Sequence, residues 1–298
     1  MAQWDDMRVF LAVARAESLS AAAPVLRMDA ATVGRRVARL EAELGAALFV
    51  KSPQGYALTD LGTRMRDHAA EAETALSMAM EEARGTQGGL TGQIRIGAPD
   101  GASNYLLPQV CAAIAGDNPG LEIQILALPR VVNLSKREAD MAVTVSPPQT
   151  GRLTVQKISD YRLHLAAPKE AKITTLEDLK GRPVVGYIPD MIFDKELDYL
   201  GDLGAYGVQI ASNSVAVQAM ALRAGAGDAG GAIGIVHDFA LPFAPELARV
   251  LVDQISLTRS FYLVRHTSDR KSDRLNRFAQ ALLGGVRAEI ARLEALVA

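Results

Sequence analysis

Residues 31–45, which read ATVGRRVARLEAELG, decide how the first part of the chain folds. Their apolar members fall within about 60° of one another on a helical wheel, forming the stripe of an amphipathic helix. The stripe consists of Val33, Val37, Leu40 and Leu44. Arg35, Arg36 and Arg39 occupy the opposite side. The segment therefore predicts a helix that buries one face, with an arginine face that is either solvated or bound to an acidic partner.

The residues around this helix predict where it begins and ends. Asp29 has a side chain that can cap a helix start, and Gly45 favours the left-handed conformation that ends one. Upstream, the first residues of the chain keep helical spacing, and Ser20 is predicted to cap a second helix over residues 21–26. Three short helices in succession are therefore expected.

Two short extended runs follow the third helix. LFVKS at 48–52 and YALTD at 56–60 are joined by the turn-forming residues 53–55, which predicts a β-hairpin. Helix, helix, helix, hairpin is the order of a winged helix-turn-helix, whose recognition helix enters the major groove of DNA. In that context, the arginine face and Lys51 on the wing are predicted to bind guanine edges or phosphates.

A longer helix is predicted from Thr59 to about Arg84. Its apolar residues recur at alternating steps of four and three, close to the heptad repeat that lets two helices pack together. They are Met65, Ala69, Ala72, Leu76, Ala79 and Ala83. This helix therefore predicts a dimer contact. The glycine-rich run GTQGGLTG, residues 85–92, indicates a flexible hinge and a domain boundary.

Beyond the hinge, strand-like and helix-like segments alternate, which is typical of an α/β sheet with mainly parallel strands. The predicted strands are QIRIGA, LEIQILAL, MAVTV, PVVGYI, AIGIV and SFYLVRH. The predicted helices cover NYLLPQVCAAIAG, 193–203, 214–224 and the stretch from 272 to the C terminus.

Composition narrows the class of protein. The chain has 298 residues, 49% of them hydrophobic and 22% charged, with a formal net charge of −2. These values indicate a folded protein of more than one domain and argue against a surface that binds nucleic acid all over. The sequence has no apolar run of bilayer-spanning length and its first residues are acidic, so a cytoplasmic location is expected. The single cysteine, Cys111, is predicted to be a buried core thiol rather than a redox sensor.

Residue types that carry catalysis or bind metals do not form a recognisable set. The four histidines show no HExxH or paired spacing, and the GxSxG, GKS and GKT motifs are absent. Residues 225–230 match GxGxxG, but a predicted helix precedes them and a strand follows, the reverse of the dinucleotide-binding order. They are interpreted as a helix-to-strand turn. Neither an enzyme nor a cofactor or metal site is expected.

The first part of the chain carries a recognisable set of residues and motifs: Phe10, the SLSAAA run, Val33, Arg35, LEAELG, Leu48-Phe49 and LTDLG. With this set, residues 3–64 resemble the DNA-binding domain of LysR-type transcriptional regulators. The rest of the chain agrees with the family in length and order, and its IGAP, YLLP and RAGAG segments resemble the family's effector-binding part. The resemblance therefore covers essentially the whole chain.

This resemblance implies a domain plan and a set of partners. Residues 1–62 are implied to be a winged helix-turn-helix, 63–92 a dimerisation helix and hinge, and 93–298 an effector-binding domain of two α/β subdomains of periplasmic-binding-protein type. The subdomains comprise 93–165 with 264–298, and 166–263. Two chain crossings join them, with a small ligand between. A homodimer assembling to a homotetramer on double-stranded promoter DNA, with RNA polymerase as a further partner, is also implied.

The resemblance and the arginine face together predict the DNA-binding residues. They are Ala31, Thr32, Arg35, Arg36, Arg39 and Lys51. The chain departs from the family at the start of the third helix, where the usual glutamine, proline and second serine are alanine, alanine and glycine. Because these three offer few polar contacts, base reading is expected to depend on Thr32, Arg35 and Arg36.

The effector is predicted to be a small organic acid. The residues predicted to contact it are Ser103, Asn104, Thr144, Ser146, Ser214 and His237. Ser103-Asn104 and Asn213-Ser214 are each expected to begin a helix, whose unpaired amides and positive dipole end suit a carboxylate. Helix capping or turn chemistry is the alternative for each serine and threonine. His237 stands where the family often has proline.

Two other classes of protein stay open from the sequence. One is an enzyme with an α/β catalytic domain and a helical appendage, which would need a convergent acid, base or nucleophile set. The other is a ligand carrier similar to periplasmic binding proteins, against which the N-terminal helix-turn-helix argues. Gel-shift binding to the protein's own upstream DNA would separate both from a regulator.

Overall fold

The computed structural model describes residues 4–52, 55–83, 89–127, 134, 138–149, 151–192, 194–195, 208–225 and 231–297. The chain divides into two compact units. The first consists mainly of Met1–Gly88, and the second of Gly89–Leu134, Glu138–Thr267 and Asp273–Ala298. The division falls inside the predicted hinge, of which residues 85–88 lie outside the described part. Within the described ranges, every helix is too short or too polar to traverse a lipid bilayer.

The first unit has the predicted helices and hairpin in the predicted order. Its elements are α1 (Trp4–Ala16), α2 (Leu19–Leu26), α3 (Ala30–Leu44), β1 (Phe49–Ser52), β2 (Gly55–Leu58) and α4 (Asp60–Ala83). Phe10, Leu40 and Leu48 are fully enclosed in its core. The rings of Phe10 and Phe49 lie 5.3 Å apart, so the hairpin packs on α1. This arrangement confirms the winged helix-turn-helix prediction.

Helix α2 begins earlier than predicted. Ser18, not Ser20, is the N-cap, and its Oγ accepts a hydrogen bond from the Ala21 N–H at 3.4 Å. Both serines have a capping side chain, so the local sequence does not choose between them. The earlier start brings Leu19 into the helix, where it packs against the core. The prediction of Ser20 is therefore wrong.

Helix α3 has its predicted limits. The Asp29 carboxylate accepts a hydrogen bond from the Thr32 N–H at 2.8 Å, and Gly45 closes the helix with a φ of 64°. The buried members of its stripe are Val33, Val37 and Leu40. A Cβ on Gly34 would lie 3.2 Å from Leu19 Cδ1, so a small residue at this position suits the close contact between α3 and α2.

The wing is fixed to the third helix by a side chain. β1 and β2 pair antiparallel, with Phe49 opposite Leu58, and residues 53–54 of the predicted turn lie outside the described part. Glu41 of α3 accepts hydrogen bonds from the N–H groups of Leu48 and Phe49 at 2.7 and 3.1 Å. The LEAELG segment therefore supplies, in Glu41, the side chain that holds the wing against α3.

The start of α4 explains the glycine of the LTDLG segment. Thr59 Oγ1 accepts a hydrogen bond from the Gly62 N–H at 2.9 Å, and the Thr59 N–H donates to the Leu48 carbonyl at 3.0 Å. A Cβ on Gly62 would clash with that same carbonyl oxygen. Any larger residue would therefore push α4 away from the hairpin.

The heptad seam of α4 has two kinds of surroundings. Met65 and Ala69 pack into the core of their own unit. Leu76, further along the seam, is 48% exposed, and Met80 beside it is 52% exposed. The second half of α4 therefore presents apolar side chains that its own unit leaves accessible.

The second unit is built around a sheet of seven strands, counted over the described residues. They are β3 (Gly92–Ala98), β4 (Leu121–Ala127), β5 (Met141–Thr144), β6 (Leu153–Pro168), β9 (Gly234–His237), β10 (Leu247–Arg249) and β11 (Ser256–His266). A separate parallel pair consists of β7 (Val184–Gly186) and β8 (Val208–Ala211). The main order is β10-β6-β11-β5-β3-β4, and β9 also pairs with β6.

The expectation of mainly parallel strands is wrong for this sheet, because four of its six strand pairings, counted over the described residues, are antiparallel. β3 is parallel to β4 and β5, but β11 is antiparallel to β5 and β6, and β9 and β10 are antiparallel to β6. The sequence did not reveal β6. Its first ten residues include the exposed Lys157, Asp160 and Arg162, whereas its last six are continuously buried, so the strand has no uniform alternation. The short strands β8 and β10 were also not predicted.

The helices of the second unit pack against these strands. They are α5 (Asp100–Tyr105), α6 (Leu107–Asp117), α7 (Val215–Ala224) and α8 (Asp273–Ala295). The helix predicted over 104–116 is divided at Leu106, because Pro108 has no N–H to donate across the junction.

Two predicted segments of the second unit fall largely outside the described residues. Of the helix predicted over 193–203, only Asp194 and Lys195 are described. Of the glycine-rich turn predicted over 225–230, only Gly225 is described. Helix α7 ends just before this turn and β9 follows it, which is the helix-then-strand order that the sequence predicts.

Candidate nucleic-acid interface and effector site

Three side chains form a hydrogen-bonded chain on the exposed side of α3. Thr32 Oγ1 donates to the Asp29 carboxylate at 2.7 Å and accepts from Nη2 of Arg35, also at 2.7 Å. The hydrogen bonds from Thr32 hold the pKa of Asp29 below its usual value. The exposed Arg35 guanidinium is therefore positioned over the first turn of α3 in the free protein.

The other two arginines of α3 face acidic residues of α1. Arg39 donates from Nε and Nη2 to the carboxylate of Asp6 at 2.7 and 2.5 Å, and Asp6 is only 1% exposed. Arg36 Nη1 lies 3.6 Å from Asp6 and 3.9 Å from Asp5. These ion pairs hold α3 against α1 in the orientation that the hydrophobic core also favours.

The predicted DNA-binding residues thus differ in their surroundings. Ala31 and Arg35 are exposed, and Arg36 is half-buried. Arg39 is also exposed, but two of its three guanidinium nitrogens, Nε and Nη2, donate to a buried carboxylate, which gives it a structural role in the free protein. Lys51 lies on β1, and its side chain is outside the described part. Asp6 is not among the residues predicted from the sequence, although the acidic pair in the first turn of α1 is a visible signal.

The predicted start of α7 is confirmed, and it binds a carboxylate of the chain itself. Ser214 is the N-cap and accepts a hydrogen bond from the Val217 N–H at 3.3 Å. Its Oγ also lies 3.1 Å from Oδ2 of Asp100, which accepts a further hydrogen bond from the Ala216 N–H at 3.2 Å. Asp100 is the first residue of α5, so this contact joins α5 to α7.

A second carboxylate makes a similar contact near the end of β5. Ser146 Oγ donates a hydrogen bond to the Asp194 carboxylate. Thr144 Oγ1 donates to the Ser146 carbonyl at 2.7 Å, which shapes the turn that presents Ser146. The structure therefore places Thr144 and Ser146 together, with Thr144 in a turn-forming role.

Ser103 and Asn104 do not begin a helix, and that prediction is wrong. Helix α5 begins at Asp100 after Pro99, whose φ of −63° suits a helix start and whose ring is not tolerated inside one. Ser103 is consequently inside the helix, buried, and its Oγ donates to the Ala98 carbonyl at 3.1 Å. Asn104 is exposed.

His237, at the end of β9, is buried among aromatic rings. Its ring centroid lies 5.4 Å from that of Tyr161, in a stacked arrangement, and 4.9 Å from that of Phe239. Burial lowers the pKa of His237 to about 3, so the imidazole is neutral at physiological pH. A Cβ on Gly101 would lie 3.5 Å from His237 Cε1, which places the imidazole against α5.

Asp100 and Asp194 belong to this region but are not among the residues predicted from the sequence. An acidic residue directly after a proline favours the first turn of a helix, so the position of Asp100 had a local signal. The pairing of Asp100 with Ser214 had no such signal, because Ser214 lies 114 residues further along the chain. Burial, and after it the charge of Asp100, raises the pKa of both Tyr105 and Tyr187.

Two other buried polar residues of the second unit, His164 and Asp238, pair with each other. His164 Nδ1 lies 2.8 Å from the Asp238 carboxylate, which also accepts a hydrogen bond from Arg249 at 3.0 Å. Arg249 donates in addition to the Val297 carbonyl, joining β10 to the end of the chain. In the ranges that the structure describes, no three His, Cys, Asp or Glu side chains converge as a metal site would require.

Comparison with known proteins assigns each compact unit to a family domain. Residues 4–63 match the family described as bacterial regulatory helix-turn-helix protein, lysR family. Residues 87–287 match the LysR substrate binding domain, which alone covers more than half of the chain. The chain belongs to the LysR family. The resemblance inferred from the helix-turn-helix and effector-part motifs is thereby confirmed.

Curated members of the LysR family match part of the chain. The Mau operon transcriptional activator of Paracoccus denitrificans is 31% identical over 175 residues, 56% of this chain and 59% of that protein. PtxR of Pseudomonas aeruginosa is 29% identical over 158 residues, which are 53% of this chain and 51% of that protein. The chain thus spans between half and three fifths of the length of these relatives. Both are named as transcriptional regulators, which gives no support to the enzyme alternative.

Solved LysR-family structures share the fold over nearly the whole chain. A full-length OxyR variant of Pseudomonas aeruginosa has a TM-score of 0.69 at 17% identity and covers 96% of this chain and 98% of its own. Full-length LysG of Corynebacterium glutamicum with bound effector Arg has a TM-score of 0.62 at 18% identity and covers 95% and 98%. These likenesses show a helix-turn-helix followed by a two-subdomain α/β domain, as predicted.

Proposed function

We propose that the protein is a sequence-specific DNA-binding regulator of transcription whose promoter binding or bending is modulated by a small organic acid. The observation that carries the DNA-binding part is the division of α3 into two faces. Val33 and Val37 are buried against the unit's own core, while Thr32, Arg35 and Arg36 lie on the other side. A capped helix of 15 residues held in this way can enter a major groove without losing its packing.

On DNA, each arginine of α3 is expected to play a different part. Arg35 can exchange its bond to Thr32 for a guanine edge, because both contacts use the same guanidinium donors. Arg36 is next to it and reads a base or binds a phosphate. Arg39 stays on Asp6 and keeps α3 in position, and Lys51 on the wing anchors to phosphate.

Dimerisation through α4 would place two recognition helices on one operator. The exposed Leu76 and Met80 are suited to pack against the same helix of a second copy. Two recognition helices then meet half-sites about 34–36 Å apart, one turn of DNA. We propose that two such dimers form a tetramer, as the family resemblance implies, and that the bound tetramer contacts RNA polymerase. A cytoplasmic location follows from this proposed function.

The effector is proposed to act on the second unit, around the start of α7. The α7 N-terminus presents amide donors and the positive end of a helix dipole, both of which favour a carboxylate. Ser146 and Ser214 supply hydroxyl groups, and the predicted set is completed by Ser103, Asn104, Thr144 and His237. Effector binding is expected to change DNA affinity or bending by about 1–3 kcal/mol, the usual size of such coupling.

The experiment that tests this function is a gel shift with the full chain. DNA from immediately upstream of its own gene is compared with a shuffled fragment of equal length and composition. Preference for the native fragment supports a regulator, and equal binding or none contradicts it. Calorimetric titration with metabolite carboxylic acids and their neutral amides then tests the effector class, which is wrong if only the neutral or cationic ligands bind.

A further inference from the structure

The start of α7 is occupied by a carboxylate of the chain itself. Oδ2 of Asp100 accepts hydrogen bonds from the hydroxyl group of Ser214 and from the N–H of Ala216, at 3.1 and 3.2 Å. We infer that Asp100 is an internal ligand of α7, which takes the place of an effector carboxylate and ties α5 to α7 until the effector displaces it. Asp100 would then set the threshold at which the protein responds.

The hydrogen bonding at the helix start explains why displacement is required. The Val217 N–H is already bound to Ser214 Oγ, and the Gln218 N–H to the Ser214 carbonyl. The Ala216 N–H and the Ser214 hydroxyl are the donors directed to Asp100. An external carboxylate that uses these two donors must therefore release Asp100 first.

The surroundings of Asp100 show that this is a packed contact. A Cβ on Gly101 would lie 3.8 Å from Val215 Cγ2 and 3.5 Å from His237 Cε1, so α5 and the first residue of α7 are in close contact. The charge of Asp100 adds to burial in raising the pKa of Tyr187. The bond from Ser146 to Asp194 joins a second pair of distant segments, 48 residues apart in sequence.

An internal carboxylate lowers the apparent affinity for a competing ligand. If the Asp100-bound state is favoured about tenfold, a carboxylate effector binds about tenfold more weakly than to a chain without that side chain. This regulatory consequence rests on the proposed organic-acid effector. The contact between Asp100 and the start of α7 does not depend on that proposal. It can be tested separately with acetate as the probe.

The test is chemical rescue of the full chain by acetate. The measured quantity is the melting temperature of each variant. Asp100→Ala removes the carboxylate and leaves room for acetate, whereas Asp100→Asn keeps the shape without the charge. Asp253→Ala, at an exposed acidic residue, is the matched control. Each protein is heated in acetate, in chloride at the same ionic strength, and in chloride with acetamide, the neutral isostere of acetate.

We expect Asp100→Ala to melt roughly 2–6 °C below the natural protein in chloride, a typical shift for losing a charge-assisted hydrogen bond in a domain of this size. Acetate should restore much of this loss, and acetamide should not. The natural protein, Asp100→Asn and Asp253→Ala should not respond to acetate. Equal responses of all four proteins, or equal rescue by acetamide, would overturn the inference.

Two further measurements separate this inference from the function on which it depends. If Asp100→Ala does not fold, Asp100→Ser is put through the same series, because serine is a favourable residue at a helix start. Binding to upstream DNA is measured on the same samples. Failed acetate rescue with intact DNA preference rejects only the internal ligand, whereas lost DNA preference in the natural protein rejects the proposed function.

Discussion

The buried carboxylate of Asp6 receives two hydrogen bonds from the guanidinium of Arg39, from Nε at 2.7 Å and from Nη2 at 2.5 Å. The pair joins the first turn of α1 to the third turn of α3. An arginine of the predicted DNA-binding set is thereby used to orient the helix that carries the set. Arg36, one turn earlier, lies close to the same carboxylate, at 3.6 Å.

We therefore expect Asp6→Ala to destabilise the first unit. The change removes a buried acceptor of charged donors, which typically costs about 1.5–3 kcal/mol in the free energy of unfolding. Calorimetry of the full chain measures it as a lower melting temperature of the first unit. Asp5→Ala is the matched control, because Asp5 is 62% exposed and its distance to Arg36 is 3.9 Å. Equal effects of the two changes would contradict a structural role for Asp6.

How much of this fold the sequence predicts depends on how local each signal is. The limits of α3 follow from Asp29 and Gly45, whose capping bonds reach only a few residues. The start of α5 also had a local signal, Pro99 followed by Asp100, but the prediction used Ser103 and Asn104 instead. β6 was missed since its two halves have different neighbours and no single alternation.

The candidate sites follow the same rule. The arginine face of α3 was predictable because one helix carries it. No local signal relates Asp100 to Ser214, which meet only because α5 and α7 pack together. Similarly, Ser146 was predicted as a contact residue, but no pattern in the sequence pairs it with Asp194.

His237 makes the protein sensitive to acid. Burial lowers its pKa to about 3, against an ordinary value of 6.5. Above pH 6.5 the imidazole is neutral in both folded and unfolded chains, so it adds no pH dependence. Between that pH and about 3 only the unfolded chain binds the proton, so stability falls as the pH falls, by at most about 1.4 kcal/mol per unit.

Replacing His237 should remove this contribution. His237→Phe keeps the ring contacts with Tyr161 and Phe239 and cannot be protonated, so its unfolding midpoint should fall less steeply between about pH 6.5 and 4. The measurement is the midpoint of urea unfolding across that range. His68→Gln is the control, because His68 is 76% exposed. If both variants keep the slope of the natural protein, His237 is not the source of the dependence.

Cys111 is expected to be chemically inert in the folded protein. It is 6% exposed, and burial raises the pKa of its thiol to about 11, so roughly one molecule in ten thousand carries a thiolate at pH 7. Ellman's reagent should therefore react with it only after denaturation. Peroxide should leave DNA binding of the natural protein and of Cys111→Ala equally unchanged. Fast labelling of the native protein would refute this expectation.

Arg36 and Arg35 are expected to govern which DNA sequence is bound. Arg36→Ala should weaken binding to the preferred operator by roughly 1–3 kcal/mol and relax the preference at one base position, the effect of losing a bidentate base contact. Arg35→Ala should act in the same way at a neighbouring position. Arg39→Lys should instead lower the melting temperature with little change in sequence preference, because its partner is Asp6.

Gel shifts on a set of single-base operator variants distinguish these roles. A base-reading arginine contributes most to binding of the preferred sequence, so its removal brings the affinities for the variants together. A phosphate anchor contributes equally to binding of every sequence, so its removal weakens all of them by the same factor and reduces the salt dependence, which is the result expected for Lys51→Ala on the wing. If Arg36→Ala gives that uniform pattern, Arg36 is an anchor, and base reading by α3 rests on Thr32 and Arg35.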